Sequence, residues 1–151
     1  MAPLVLRPAR PGDLPAMVAL LGELFAVEPD YRIDPAVQRR GLELLLQDRL
    51  RRTAIVAEAG ALPLGMVTGQ LVISTAEGAP SVWVEDLVVT AGARGGGVGR
   101  RLLEAVESWG RARGATRLQL LADRDNARAL RFYAGRGWSA TRMVCLSRRP
   151  A

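Results

Sequence analysis

Eight consecutive residues, Arg94-Gly95-Gly96-Gly97-Val98-Gly99-Arg100-Arg101, have the types and spacing most able to do chemistry. They lie between an apolar run, Leu87-Val88-Val89, and a helical pattern that begins with Leu102-Leu103. A strand, a glycine loop and the first turn of a helix aim free backbone N–H groups and the positive end of a helix dipole at one point, which suits a phosphate or pyrophosphate. A Walker A loop needs Lys-Ser/Thr after its last glycine, whereas Gly99 is followed by Arg100, so a triphosphate cradle would lack its cation and its magnesium ligand. A GxGxxG dinucleotide fingerprint fails as well, because its third glycine would fall on Arg100 or Leu102. Five glycines between Gly92 and Gly99 also read as a flexible turn.

Composition removes other chemistries. The chain has no histidine, which excludes the commonest general base and makes a zinc site or a Ser-His-Asp triad implausible. All 21 basic residues are arginine, so no lysine can form a Schiff base. Catalysis falls to carboxylates, Tyr, Cys or backbone. The net charge of +6 is uneven: residues 1–93 hold 8 Arg against 11 Asp and Glu, residues 94–151 hold 13 against 4. Positive charge therefore collects around the glycine loop, where it would attract a polyanionic small molecule or a nucleic acid. Few aromatics are interleaved with these arginines and no nucleic-acid module is recognisable, so nucleic acid is the weaker reading. The single Cys145 cannot form an internal disulfide, in keeping with a reducing compartment. Apolar runs fall far short of the ~18 residues that cross a bilayer, and the start lacks a secretory pattern, so a cytoplasmic protein without membrane contact is expected.

At 151 residues the chain is expected to form one domain, 1–151, hiding ~70% of its unfolded surface. Leu4 to Leu6 read as a strand ending at Arg7-Pro8. Asp13 is the expected N-cap of a helix whose stripe is Leu14, Met17, Val18, Leu21, Leu24 and Phe25. A second helix is expected from Pro35 to Leu50, burying Val37, Leu42, Leu45 and Leu46. Thr53–Ala59 and Leu64–Ser74 read as a hairpin bent at Gly65 and Gly69, and Ser81–Thr90 as the long strand that feeds the glycine loop. Leu102, Leu103, Val106, Trp109 and Gly110 share one helix face. Thr116–Ala122 follows as a strand parallel to the earlier one by right-handed crossover, then a short helix with Ala129, Leu130, Phe132 and Tyr133, and a last strand from Trp138 to Leu146. The class is α/β with a mixed sheet, in the order β-α-α-β-β-β-α-β-α-β.

Arg94-x-x-Gly97-x-Gly99 at a strand-to-helix junction resembles the pyrophosphate loop of the GNAT superfamily of acetyl-coenzyme A dependent N-acetyltransferases. Asn126-x-x-Ala129-Leu130-x-Phe132-Tyr133 followed by Gly137-Trp138 is similar to that superfamily's second cofactor motif, at the expected distance. The resemblance covers the whole chain and is tightest from Val84 to Trp138. It implies the GNAT fold and an acyltransferase using acetyl-coenzyme A as co-substrate, with no metal. The main chain of Leu87, Val88 and Val89 would pair with the pantetheine arm, and Arg94, Gly95, Gly96, Gly97, Val98, Gly99 and Arg100 would hold the pyrophosphate. Asn126 would hydrogen-bond the arm, or simply cap its helix.

The chemistry needs a base for an ammonium of pKa ~10 and a proton donor for the departing thiolate. Glu85 is the candidate base, in an Glu-Asp-Leu-Val-Val run that matches relatives in which that glutamate acts through water. Simple alternation puts Glu85 and Leu87 on one face and Asp86 on the other. Tyr133 is the candidate acid and a cofactor contact. Plain surface and core roles for Glu85 and Tyr133 remain open. Cys145 and Trp83, Trp109 and Trp138 read as packing. By the resemblance the acceptor cleft lies under Glu28-Pro29-Asp30-Tyr31-Arg32-Ile33-Asp34, whose acids favour a cationic amine, although a charged loop is also commonly just solvated. Rival readings are a non-catalytic acyl-coenzyme A sensor and a basic nucleic-acid binder. A homodimer is common among relatives.

Overall fold

The computed structural model describes residues 2–151. The chain forms two compact units, one running to Leu121 and the other from Ala122 to Ala151. In the first, β1 (Leu4–Pro8), α1 (Leu14–Phe25), α2 (Pro35–Leu46), β2 (Arg52–Ala59), β3 (Leu62–Ser74), β4 (Ala79–Val89), α3 (Val98–Arg111) and β5 (Arg117–Leu120) follow one another. The five strands make one sheet in sequence order. The first three pairings are antiparallel, and β4 and β5 are parallel across α3, as the crossover requires.

Helices cover both faces of the sheet. Leu14, Met17, Leu20 and Leu21 of α1 and Leu42 of α2 pack with Ala54, Val56, Met66 and Val88, forming the core on one side. Leu45 and Leu46 are half-buried against it, but Val37 is exposed, because the first turn of α2 lies outside that core. The helix also stops at Leu46 rather than Leu50. Asp48 Oδ1 accepts the N–H groups of Leu50 (3.1 Å) and Arg51 (3.2 Å), an Asx turn that competes with further helix.

At the start of α1, Asp13 holds the N-cap position as expected, but its side chain makes no cap hydrogen bond. Arg7 grips both its carboxylate oxygens, at 2.8 and 2.9 Å, and the Arg10 N–H donates to Oδ2 at 2.7 Å, closing the single 3-10 turn before α1. Arg7 also donates to both oxygens of Glu58, tying β1 and β2 to that turn. Hydrogen bonding from Arg7 holds both carboxyls below their usual range. Proline is tolerated in β1 because this is an edge strand, so pairing continues through Pro8 opposite Ile55.

On the other face α3 lies directly on the strands through Val98, Leu102, Leu103, Val106 and Gly110, all buried. Glycine is what permits the close approach. A Cβ on Gly69 would lie 2.8 Å from Val106, and one on Gly110 would collide with Val82. Register shifts, each one extra residue, fall where β3 and β4 are crowded: Leu64 is unpaired opposite β2, and Glu85 is unpaired between the Thr68–Asp86 and Gly69–Val84 pairs.

The second unit holds α4 (Ala127–Ala134), capped by Asn126, and carries no strand among the described residues. The expected strand from Trp138 to Leu146 is therefore absent. A strand is a property of a hydrogen-bonded pair, and this segment has no ladder partner despite its apolar sequence. Met143, Val144 and Leu146 are exposed, and so is Cys145, which packs neither in a core nor in a sheet.

Gly110→Ala is expected to lower stability by about 1–3 kcal/mol through overpacking against Val82. Gly41→Ala, in an exposed stretch of α2 with open space around the added methyl, is expected to raise it by about 0.5–1 kcal/mol. Urea midpoints at unchanged m-value check both.

Candidate active site

The unpaired Glu85 changes which way β4 points its side chains. Before it, Val82 faces α3. After it, Val88 lies in the core with α1 and α2, although strict alternation would return Val88 to the α3 side. The Trp83 indole Nε1 donates to Glu85 Oε2 at 2.7 Å, placing Glu85 on the face opposite Val82. Asp86 is held by Thr68, which pairs across β2 with core residue Ala54, so Asp86 shares that face. Glu85 and Asp86 are thus together on the α1/α2 side, and Leu87 is on the other. This corrects the expectation that Glu85 shares a face with Leu87 and that Asp86 points to the opposite one. Trp83, read from sequence as packing, orients Glu85.

The same residue marks the end of β4–β5 pairing, whose last register pair is Val84–Leu120. From Asp86 to Val89, β4 is paired on its β3 side only. The Thr90 N–H donates to Leu64 O of β3 at 2.8 Å, so by antiparallel alternation Val88 also turns its main chain to β3. Leu87 and Val89 turn theirs to the open side. The carbonyl of Val89 accepts Arg94 Nε at 2.9 Å.

Beyond β4 a 3-10 turn at Ala91–Ala93 leads into the glycine loop. Glu23 of α1 fixes this entry: its carboxylate accepts the Thr90 hydroxyl at 2.8 Å and the Ala91 N–H at 3.2 Å. Gly95 (φ 82°) and Gly97 (φ 83°) adopt left-handed backbone that L side chains rarely do, and Gly97 is the N-cap of α3. The first helical bond is Arg101 N–H to Gly97 O. Among the described residues, the N–H groups of residues 95–100 have no acceptor within the chain, and no side chain caps the helix. Six donors in succession stand at the positive end of a 14-residue helix, the arrangement an anion would need.

Over the α1/α2 face the segment between those helices brings Tyr31 to the carboxylates. Burial, and then the negative charges of Glu85, Glu28, Asp30 and Asp86 in that order, push the Tyr31 phenol above its usual range. Its ring packs on Phe25 with centroids 5.2 Å apart. Asp86 is only 8% exposed. Burial, opposed by the Thr68 hydrogen bond and assisted by the charge of Glu85, raises its carboxyl to about 6. Thr68 Oγ1 donates to Asp86 Oδ2 at 2.7 Å and accepts the Asp86 N–H at 3.1 Å. Among the described residues, no arginine forms an ion pair with Glu85 or Asp86. No group of three or more Cys, His, Asp or Glu is arranged among them to hold a metal ion, and no helix is long and apolar enough to cross a membrane.

Within the second unit, Asn126 Oδ1 accepts the Ala129 N–H at 3.1 Å, so this residue does cap α4. Tyr133 is half-buried, with its ring 5.2 Å from Phe132 and 5.7 Å from Trp138. The Trp138 N–H donates to Tyr133 O at 3.1 Å, folding the glycine turn back onto the helix.

The profile of the acetyltransferase (GNAT) family matches residues 20–138. A crystal structure of a transcriptional regulator from Bacillus halodurans C-125 superposes with a TM-score of 0.85 at 26% identity, covering 97% of this chain and 100% of that one. The aminoglycoside N-acetyltransferase AAC(6')-Iy in complex with CoA gives 0.83 at 18% identity, covering 100% and 97%. An aminoglycoside acetyltransferase from an uncultured soil metagenomic sample, in complex with sisomicin, gives 0.75 at 19%, covering 98% and 96%. At these last identities the likeness is one of fold. A search of curated sequences finds no match.

The raised Asp86 carboxyl has a definite sign in stability. Between about pH 4 and 6 the folded protein binds more protons than the unfolded chain, so this group's contribution falls as pH rises and levels off above about 6. Ionised Asp86 then costs about 3 kcal/mol. Asp86→Asn is expected to be more stable than wild type at pH 7–8 by up to that amount, with the gap closing toward pH 4. Asp13 and Glu58, whose carboxyls are shifted the other way, are common to both proteins and cancel in the difference. Paired urea titrations from pH 4 to 8 measure it.

Proposed function

Since the chain belongs to the acetyltransferase (GNAT) family, we propose that it is an acetyl-coenzyme A dependent N-acetyltransferase, transferring acetyl to a primary amine by direct attack in a ternary complex. The observation that carries this reading is the run of six unaccepted N–H groups at residues 95–100, next to the open edge of β4. Pyrophosphate oxygens accept from those groups, with Arg94 and Arg100 adding positive charge. Amides of the pantetheine arm meet the open main-chain groups of Leu87 and the N–H of Val89, as an added strand would. Asn126 keeps its amide nitrogen for the same arm while its oxygen caps α4. The CoA complex of AAC(6')-Iy supports a coenzyme A site on this fold, and the sisomicin complex supports an amine acceptor.

In the reaction the acceptor arrives as an ammonium. Glu85, held by Trp83 and exposed to solvent, takes a proton from it through water. The neutral nitrogen attacks the thioester carbonyl, the Leu87 N–H meets the developing oxyanion, a C–N bond forms, the C–S bond breaks and the nitrogen gives its second proton to water. The Tyr133 phenol protonates the leaving thiolate and is reprotonated from water. Such proton transfers supply roughly 10²–10⁴-fold each.

A second reading, an acyl-coenzyme A sensor without chemistry, is favoured by the name of the transcriptional regulator that this chain resembles. Variants separate the two. Acetyl-coenzyme A at 100 times its Kd is expected to stabilise the protein by about 2.7 kcal/mol under either reading. Only an enzyme releases thiol with an amine, and Glu85→Gln and Tyr133→Phe are each expected to lower kcat at least tenfold with little change in acetyl-coenzyme A affinity. Unchanged kcat in a variant removes that residue from the mechanism, and no thermal shift with acetyl-coenzyme A overturns both readings.

A further inference from the structure

Asp86 has no part in the proton transfers above, yet it is the most costly charge on the acceptor side of the sheet. Its Oδ2 is bound by the Thr68 hydroxyl, and its Oδ1 accepts no hydrogen bond among the described residues and is not sealed from the surface. The groups set against it are Thr68 from β3 and Glu85 from β4, while the phenol of Tyr31, in the segment after α1, feels the charges of Glu85, Glu28, Asp30 and, least, Asp86. All the ionisable groups in this set are acids. A buried carboxylate with one neutral partner and only negative neighbours is stabilised most by a cation brought from outside.

We propose that Asp86 is the specificity-determining residue of the acceptor site, binding a second, non-reacting ammonium, so that the acceptor is a di- or polyamine rather than a monoamine. This rests on the acetyltransferase reading. The reacting nitrogen must lose its proton, and a buried carboxylate with no other cation would hold that proton on it. Glu85, exposed and able to pass a proton to water, serves the reacting nitrogen; Asp86 serves a nitrogen that stays charged. The Trp83 ring, bonded to Glu85, and the Tyr31 ring, within the field of the same carboxylate, would offer apolar surface to the carbon stem between the amines and π-faces to its charges.

The dependence on pH follows. Asp86 is pushed up to about 6 by burial, so a diamine binds more weakly below that pH, where the carboxyl is protonated, and its binding there displaces a proton.

The test is calorimetric binding of 1,4-diaminobutane and n-butylamine to the full chain loaded with coenzyme A, in wild type and Asp86→Asn, from pH 5 to 7.5. Thiol release from acetyl-coenzyme A with both amines is measured in parallel. The expected result is at least tenfold tighter binding of the diamine by wild type, a preference that weakens below pH 6. In Asp86→Asn the ratio falls to near one and the pH dependence flattens. Equal affinity for both amines in wild type, or a preference that survives Asp86→Asn, overturns the proposal. Equal loss of turnover on both amines in the variant, with binding preserved, would make Asp86 the base instead and also overturns it. Absence of thiol release with either amine counts against the acetyltransferase reading, while the binding ratio still decides the role of Asp86.

Discussion

One extra residue in β4 sets the geometry of the site. Glu85 has no partner opposite β3, and the parity of every later side chain on the strand inverts at that point. Without the shift Asp86 would face α3 and Leu87 would face α1 and α2. With it, two carboxylates, the Trp83 indole and Tyr31 share one face, and the β4–β5 ladder ends at the adjacent Val84. Bulged strands twist and bend locally, which is how a continuous sheet comes to present an open edge in its middle.

That open edge would be of little use if the loop following it were free to wander. Glu23 supplies the restraint, with one carboxylate on the Thr90 hydroxyl and the Ala91 N–H. Arg94 adds another by folding back on the Val89 carbonyl. The left-handed glycines then turn the chain into α3, whose own position is fixed by its glycine-mediated contact with β3 and β4. The six-donor run is thus built from backbone, and its donors are preorganised by packing on both sides of the sheet. Preorganised donors need no rearrangement when charge arrives.

Much of this was legible in the residues. Helical periodicity locates α1 and α3, the glycine and arginine pattern locates the loop of unaccepted N–H groups, and the strand-helix-strand order implies the parallel β4–β5 pair. What failed did so for identifiable reasons. Period-two counting is blind to an inserted residue, so it puts Asp86 and Leu87 on the wrong faces relative to Glu85. The available hint was Gly69, since a glycine inside a strand signals a bulge or a close approach. Asp13 does take the N-cap position of α1, but Arg7, six residues earlier, claims its carboxylate. Apolar content suggested a strand at Trp138–Leu146, where no ladder partner exists. Trp83 and Tyr31 gave no pattern at all, because their importance lies in which carboxylates the fold places beside them.

The central claim is that the N–H groups of residues 95–100, with those of Leu87 and Val89, form one continuous surface for a coenzyme A-like ligand. Its most direct measurement is a titration of the ¹⁵N-labelled protein with coenzyme A, following each backbone amide. The amide signals of Gly95 to Arg100, Leu87 and Val89 are expected to shift together along one saturating curve, while those on the far ends of β2 and β3 do not. Saturable binding that leaves the 95–100 amides unmoved would contradict it.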